Sequence, residues 1–139
     1  NLIDESSLLK TETFPENLNS LNLNNNKLKL DKNSGFFNYF SSETGTSNAK
    51  KNLFTLLLNS NKIENLPASV DFFLQFENLN TLDLGYNDIK QVPPVLGKFK
   101  EMKMQRLNLE GNSFRVPRPN VMNQGTAAIL GYLFDRIPT

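Results

Sequence analysis

The side chains of this chain that are best suited to catalysis are two carboxylates, Asp83 and Glu110. Two acids held close together can carry out general acid–base or glycosidic chemistry. The sequence contains no histidine and no cysteine, so it lacks the commonest general base, any thiol nucleophile and the usual zinc ligands. An acid pair without these partners is a poor basis for catalysis, and we expect no catalytic residue, no metal and no cofactor.

The overall composition indicates a single folded domain. The 139 residues carry 15 basic and 14 acidic side chains, a formal net charge of +1, which gives no general attraction to nucleic acid or anionic lipid. No apolar run approaches the roughly 18 residues of a membrane-spanning helix. The lack of cysteine and of Asn-x-Ser/Thr glycosylation sites favours an intracellular location, cytoplasmic or nuclear. Because the sequence begins without methionine, we expect a fragment of a longer chain.

The elements that would position functional side chains follow from an internal repeat. Four copies of the pattern L-x-x-L-x-L-x-x-N-x-L begin at Leu18, Leu53, Leu79 and Met104. The last three copies start 26 and 25 residues apart, which is within the period of about 20–29 residues of the leucine-rich repeat that the pattern resembles. One repeat cannot bury its own apolar face, so stacked copies must form a common core. We therefore predict an α/β solenoid with a short parallel sheet on its concave side.

Each position of the pattern has a predicted role. Leucines at positions four and six point inward from a short strand, and the asparagine at position nine turns the chain by bonding to nearby backbone. Between strands, apolar residues recur at helical spacing and predict short helices or 3₁₀ turns on the convex side. These residues are Val70, Phe73 and Phe76 in one repeat and Leu96, Phe99 and Met102 in the next.

The C-terminal end carries a narrower resemblance. The stretches Leu109–Arg118 and Gly125–Thr139 are similar to the C-terminus of the leucine-rich repeat-containing protein 40 family. The resemblance implies an intracellular protein with more repeats upstream, an end at Thr139 and no catalytic activity.

The repeat divides the chain into three parts. Residues 1–17 are predicted to lead in from a truncated upstream repeat, residues 18–117 to form four repeats, and residues 118–139 to form a helical cap. In the cap, we expect Thr126 to be the N-cap of a helix over Ala127–Arg136, whose apolar side consists of Ala127, Leu130, Leu133 and Phe134. A long insert at 29–52 contains the aromatic cluster Phe36–Phe40, which either packs into the core or forms an exposed contact site.

The concave face is the predicted binding surface, and its partner is expected to be another protein bound by a monomer. Residues between the strand leucines point outward there. The candidates are Asn22, Thr55, Leu57, Asn59, Asp83, Tyr86, Arg106, Asn108 and Glu110. Leu57 and Tyr86 could anchor a partner, whereas Asp83 and Arg106 are expected to form an ion pair across adjacent strands. The concave asparagines could bind an extended peptide, but the high asparagine content of the chain is the better explanation for them.

An alternative function is RNA binding, or association with a ribonucleoprotein, through a basic cluster between Lys98 and Arg118. Its cations are Lys98, Lys100, Lys103, Arg106, Arg115 and Arg118. Most of these charges alternate with apolar residues, which is typical of a solvated convex face. We therefore do not expect nucleic acid or a membrane to be the partner.

Overall fold

The computed structural model describes residues 19–29, 52–66, 74 and 76–138. The predicted lead-in segment 1–17, the Phe36–Phe40 cluster and two of the predicted convex residues, Val70 and Phe73, lie outside the described residues. All four strands of the predicted repeats lie within them.

The four repeats form one parallel β-sheet of short strands. The strands are β1 (Ser20–Asn22), β2 (Thr55–Leu57), β3 (Thr81–Asp83) and β4 (Arg106–Asn108), and they lie side by side in chain order. The register joins equivalent positions of neighbouring repeats, so that Leu56 pairs with Leu21 on one side and with Leu82 on the other. This arrangement confirms the predicted α/β solenoid.

The core is built from the repeated leucines. At position four Leu56 and Leu82 are fully buried, and at position six Leu58 and Leu84 are fully buried as well. Burying a leucine side chain contributes about 2 kcal/mol relative to exposure. Because each leucine packs against equivalents in adjacent repeats, the core is continuous along the solenoid.

The position-nine asparagines turn the chain and also join successive repeats. The Asn87 amide nitrogen Nδ2 donates to the carbonyls of Leu84 and Gly85 in its own repeat and of Leu58 in the preceding repeat, each at 3.0 Å. Its Oδ1 accepts at 3.1 Å from the backbone N–H groups of Asn61 and Ile63. Asn87 is only 5% exposed. Asn61 and Asn112 make the corresponding bonds one repeat earlier and one repeat later.

Position eight of every repeat lies in the left-handed region of backbone space. The φ values are 61° at Asn25, 60° at Ser60, 53° at Tyr86 and 74° at Gly111. This conformation directs the backbone N–H toward the next repeat, where Ser60 donates to the Gly85 carbonyl at 3.0 Å and Tyr86 to the Glu110 carbonyl at 2.7 Å. The turn is therefore fixed by backbone geometry, even where a bulky residue occupies it.

The convex side of the third repeat is a 3₁₀ helix over Pro94–Glu101. It buries Leu96 and Phe99, as the helical spacing predicts, and Met102 packs against the core just after it. The repeat tails differ in one respect. Leu66 and Val92 are 8% exposed, whereas Val116 is 50% exposed. The fourth tail is one residue shorter, so Pro117 takes the buried position and Val116 turns outward.

The cap consists of α1 (Pro119–Met122) and α2 (Thr126–Phe134), and α2 packs mainly on the 3₁₀ helix. The prediction for Thr126 is wrong. The N-cap residue is Gly125, and the Thr126 hydroxyl instead accepts a hydrogen bond from the Leu107 N–H of β4 at 3.1 Å. Ala127 is exposed because the helix turns a neighbouring side to the core. The buried residues of α2 are Ile129, Leu130 and Leu133.

Candidate functional site

The strand register brings the predicted concave residues into two rows. One row holds the position-five side chains of Asn22, Leu57, Asp83 and Asn108. The other row holds position three, where Thr55 lies beside Thr81 and Thr81 beside Arg106. The leucine between the two positions is buried in β2, β3 and β4, while its neighbours are partly or fully exposed. Both rows therefore lie on the outer, concave surface of the sheet.

The Asp83 carboxylate is the centre of this surface. Its Oδ1 accepts from Asn108 Nδ2 at 2.9 Å, from Asn59 Nδ2 at 3.2 Å and from the Gly85 N–H at 2.9 Å. Its Oδ2 accepts a longer bond, at 3.4 Å, from Asn59 Nδ2. The carboxylate is thus held in one orientation by its neighbours, and Oδ2 retains capacity for a further donor.

The predicted ion pair between Asp83 and Arg106 does not form between these two described residues. The register places Asn108 beside Asp83 and places Arg106 beside Thr81. The shorter amide side chains on both sides of the carboxylate satisfy it instead. Arg106 is exposed and keeps its guanidinium available to solvent or to a partner.

The concave asparagines have a structural role that the sequence did not reveal. Position five accepts the N–H of position seven in three repeats: Asn22 from Asn24, Asp83 from Gly85, and Asn108 from Glu110. In the second repeat position five is Leu57, which has no acceptor. There the Asn24 side chain of the preceding repeat accepts from the Asn59 N–H at 2.7 Å. Asparagine content alone is therefore not the explanation for this row.

Gly85 allows this network to close over the sheet. A β-carbon added at Gly85 would lie 2.8 Å from Asn108 Nδ2 and 2.9 Å from Asn59 Nδ2. Real β-carbons essentially never approach nitrogen so closely, so any side chain here would displace the amides. The two asparagines can converge on Asp83 because position seven of the third repeat has no side chain.

The two predicted anchor residues differ in accessibility. Leu57 is half-buried within the polar row, whereas Tyr86 is 58% exposed at the edge of the face. The Tyr86 ring lies against Gly111, since a β-carbon there would be 2.7 Å from Cε1 of the ring. Tyr86 is therefore held in place while most of its surface remains open, and it is the larger apolar contact that the face offers.

The two acids considered for catalysis, Asp83 and Glu110, do not line one cleft together. Three donors occupy Asp83 Oδ1, and Glu110 is exposed and lines a separate cleft between β4 and α2. In residues 19–29, 52–66, 74 and 76–138, no group of three or more acidic side chains could hold a metal ion. Within the same ranges, no helix has the length and apolar character needed to cross a membrane. The arrangement offers hydrogen bonding and apolar contact to a partner.

The cations of the basic cluster lie on several parts of the molecule. Lys98 and Lys100 belong to the 3₁₀ helix, where Lys100 lies 5.0 Å from the centre of the Phe134 ring. Arg106 belongs to β4 on the concave face. Arg115 and Arg118 line clefts near the cap. Proximity in sequence therefore does not translate into one basic surface.

A comparison with known protein families finds one of the repeats. The family described as Leucine Rich Repeat matches residues 78–99, the segment that contains β3 and most of the following 3₁₀ helix. A solved structure to which the chain is similar is the leucine-rich-repeat ectodomain of the plant membrane receptor kinase GASSHO1/SCHENGEN3 from Arabidopsis thaliana, in complex with CASPARIAN STRIP INTEGRITY FACTOR 2. The two chains are 23% identical with a TM-score of 0.46, over 73% of this chain and 14% of the ectodomain.

The present chain thus spans about one seventh of that ectodomain's length. One sequence pattern, the repeated leucines and asparagine, explains the parallel sheet, the asparagine turns and the family match over one repeat. The fold of this chain is therefore a leucine-rich-repeat solenoid closed by a C-terminal helical cap.

Proposed function

We propose that this chain is an interaction module whose concave face binds another protein. The observation that supports the proposal is the Asp83 carboxylate, fixed by Asn59 and Asn108 in the middle of an open sheet. A polar group that is already oriented loses little side-chain entropy on binding. Leucine-rich-repeat solenoids generally use such concave surfaces for binding and have no catalytic role, which is in keeping with two acids, Asp83 and Glu110, that do not line one cleft together.

The side chains of the concave face favour a partner that carries both a hydrogen-bond donor and an apolar group. Asp83 Oδ2 would accept from a basic or amide group of the partner, Arg106 would donate, and Tyr86 would supply apolar contact. Four strands spaced about 4.8 Å apart give a sheet only ~15 Å across. A sheet of this width is too small to bury, by itself, the ~800 Å² per partner of a typical stable complex. Flanking residues such as Glu110, or further repeats of a longer protein, would supply the rest.

We further propose that the chain acts as a monomeric, intracellular adaptor within a larger repeat protein of the leucine-rich repeat-containing protein 40 type. The supporting observation is the lack of cysteine and of glycosylation sites, and the resemblance inferred from the sequence of the C-terminal end suggests the type of protein. RNA binding is the weaker proposal because the cations of the 98–118 stretch are divided among several surfaces.

The test is capture of partners from a native lysate by the wild-type chain and by a Leu57→Asp, Arg106→Glu variant. Captured proteins are identified and then titrated individually with each purified chain. We expect loss of a principal partner from the variant, with at least about tenfold weaker binding, because central contacts of an interface often exceed about 1.4 kcal/mol.

A matched control is Lys62→Glu, which reverses one exposed charge outside the concave rows. All variants must unfold cooperatively at a temperature close to that of the wild type. If the concave variant retains every partner of the wild type with unchanged affinity, the concave face is not the binding surface.

A further inference from the structure

A second recess with different chemistry lies between the repeat tails and the cap. The segments after β3 and β4 meet α2 around a cleft of about 520 Å³, whose lining includes Lys90, Arg115, Val116, Tyr132 and Arg136. None of the predicted concave residues lines this cleft. We refer to it as the cationic cleft.

The rim of the cationic cleft carries several positive charges. Lys90 and Arg115 occupy the same position in consecutive repeats, and Arg136 approaches from the end of α2. Arg118 lines an adjoining cleft that shares Val116, Tyr132 and Arg136. Among the residues that the structure describes, no acidic side chain lines either cleft.

These cations are accessible to a ligand. The side chains of Lys90, Arg115 and Arg118 are exposed. Arg136 is exposed as well, but it donates to the Tyr132 carbonyl at 3.1 Å and stacks on the Tyr132 ring. Glu64, which holds the position of Lys90 one repeat upstream, lines a separate cleft. The rim therefore presents its positive charge to solvent.

The floor of the cationic cleft is apolar. Val92 and Leu133 are nearly buried beneath it, and Val116 presents a half-exposed side chain because the fourth repeat tail is one residue shorter. A ligand that fits must therefore bring negative charge to the rim and an apolar group to the floor.

We propose that the cationic cleft binds an acidic peptide segment that carries one aliphatic or aromatic anchor. The anchor contacts Val116 and the floor, and the flanking carboxylates pair with Lys90 and Arg115. Arginine can hold a carboxylate through two parallel hydrogen bonds. This site is separate from the concave face and does not depend on the function proposed for that face.

Two other anionic partners fit the cleft less well. Single-stranded RNA usually needs aromatic faces on which bases stack, but the Arg136 guanidinium lies 3.4 Å from the centre of the Tyr132 ring and covers it. An anionic membrane surface contacts projecting basic residues, whereas the apolar groups here lie at the bottom of a recess between three segments. A narrow peptide can reach both the floor and the rim.

The test uses the complete 139-residue chain and a fluorescent peptide in which one phenylalanine is flanked on each side by aspartate and glutamate. Binding is measured by fluorescence polarisation at low and high salt. A Lys90→Glu, Arg115→Glu variant should bind at least about tenfold more weakly, since the loss of two ion pairs and the added repulsion exceed ~1.4 kcal/mol. Val116→Ser should weaken binding about threefold through lost apolar contact.

Control peptides separate the two contributions. Replacing the phenylalanine by serine, or the acids by their amides, should each reduce binding. High salt should weaken the binding of the acidic peptides but not that of the amide peptide. The Lys62→Glu and Arg106→Glu variants should bind like the wild type, so failure of the concave-face proposal would leave this result unchanged.

Three results would overturn the proposal. The first is no peptide binding at millimolar concentration. The second is peptide binding that survives the Lys90→Glu, Arg115→Glu substitutions. The third is tighter binding of single-stranded RNA, or of vesicles containing phosphatidylserine, that those substitutions abolish.

Discussion

Two sets of asparagine-containing hydrogen bonds cross the sheet, and they differ mainly in burial. The turn set consists of the position-nine asparagines, of which Asn87 is 5% exposed and makes five bonds to backbone. The concave set consists of Asn59, Asp83 and Asn108, which are half-buried and bond largely to one another. Water can replace a lost partner in the concave set but not in the turn set. One residue type therefore serves stability in one place and surface chemistry in the other.

The largest effect is expected when the turn set is broken at its centre. Asn87→Ala removes the acceptor of the Asn61 and Ile63 N–H groups and the donor to the Leu58 and Leu84 carbonyls. Leaving several buried backbone groups unsatisfied should lower the free energy of unfolding by about 3 kcal/mol or more. Urea denaturation measures this loss, and a loss below about 1 kcal/mol would mean that solvent reaches the turn.

The matched deletion in the concave set should cost less. Asn108→Ala removes the 2.9 Å bond to Asp83 and the 3.0 Å bond from the Glu110 N–H. Both groups lie at the surface, so we expect a loss of about 1 kcal/mol in the free energy of unfolding. If Asn108→Ala cost as much as Asn87→Ala under the same denaturation conditions, the contrast between the two sets would be wrong.

A third measurement tests the junction between the sheet and the cap. Thr126→Val keeps the shape of the side chain but removes the hydroxyl that accepts from the Leu107 N–H. The expected loss is about 1 kcal/mol, accompanied by faster hydrogen exchange of the Leu107 amide. Unchanged exchange at Leu107 would show that this bond is not formed in solution.

The smallest expected change in the free energy of unfolding concerns the hydrogen-bond acceptor that Asn24 of the preceding repeat supplies to the Asn59 N–H. Asn24→Ala removes the acceptor of the Asn59 N–H, and Leu57→Asn supplies one from position five, as in the other repeats. We expect Asn24→Ala to cost about 0.5 kcal/mol in the wild type and less in the Leu57→Asn background. Equal costs in the two backgrounds would argue against the substitution of one acceptor by the other.

The repeat pattern predicted the parallel sheet and the turn made by position nine, because these depend on periodic residues that every copy shares. It did not predict the Asp83 contacts. The sequence suggested the oppositely charged Arg106 as partner, whereas the register gives Asn108 the adjacent place. Arg106 and Asn108 are two residues apart on β4, and opposite charge alone does not determine which of them lies beside Asp83.

The cap shows the same limit. Apolar spacing predicts the helix that follows Thr126, but the Thr126 hydroxyl bonds across to β4 rather than to its own helix. Local sequence predicts that a threonine at this place caps its own helix. It does not show that packing brings the edge of β4 within hydrogen-bonding distance of the Thr126 hydroxyl. The cationic cleft was likewise hidden in the sequence, because Lys90, Arg115 and Arg136 come from three segments.

The bond between Thr126 and Leu107 has a consequence for how this architecture can change in length. Between inner strands the acceptor comes from the backbone of the next strand, whereas at β4 a single hydroxyl of α2 takes that place. The cap contacts β4 and the 3₁₀ helix of the repeat before it, so its described contacts involve two repeats only. Duplicating the 25-residue unit 79–103 ahead of Met104 would leave β4 and the cap next to the same preceding repeat, and its one new interface would join two copies of that repeat, so the domain could grow one module at a time while its end stays the same.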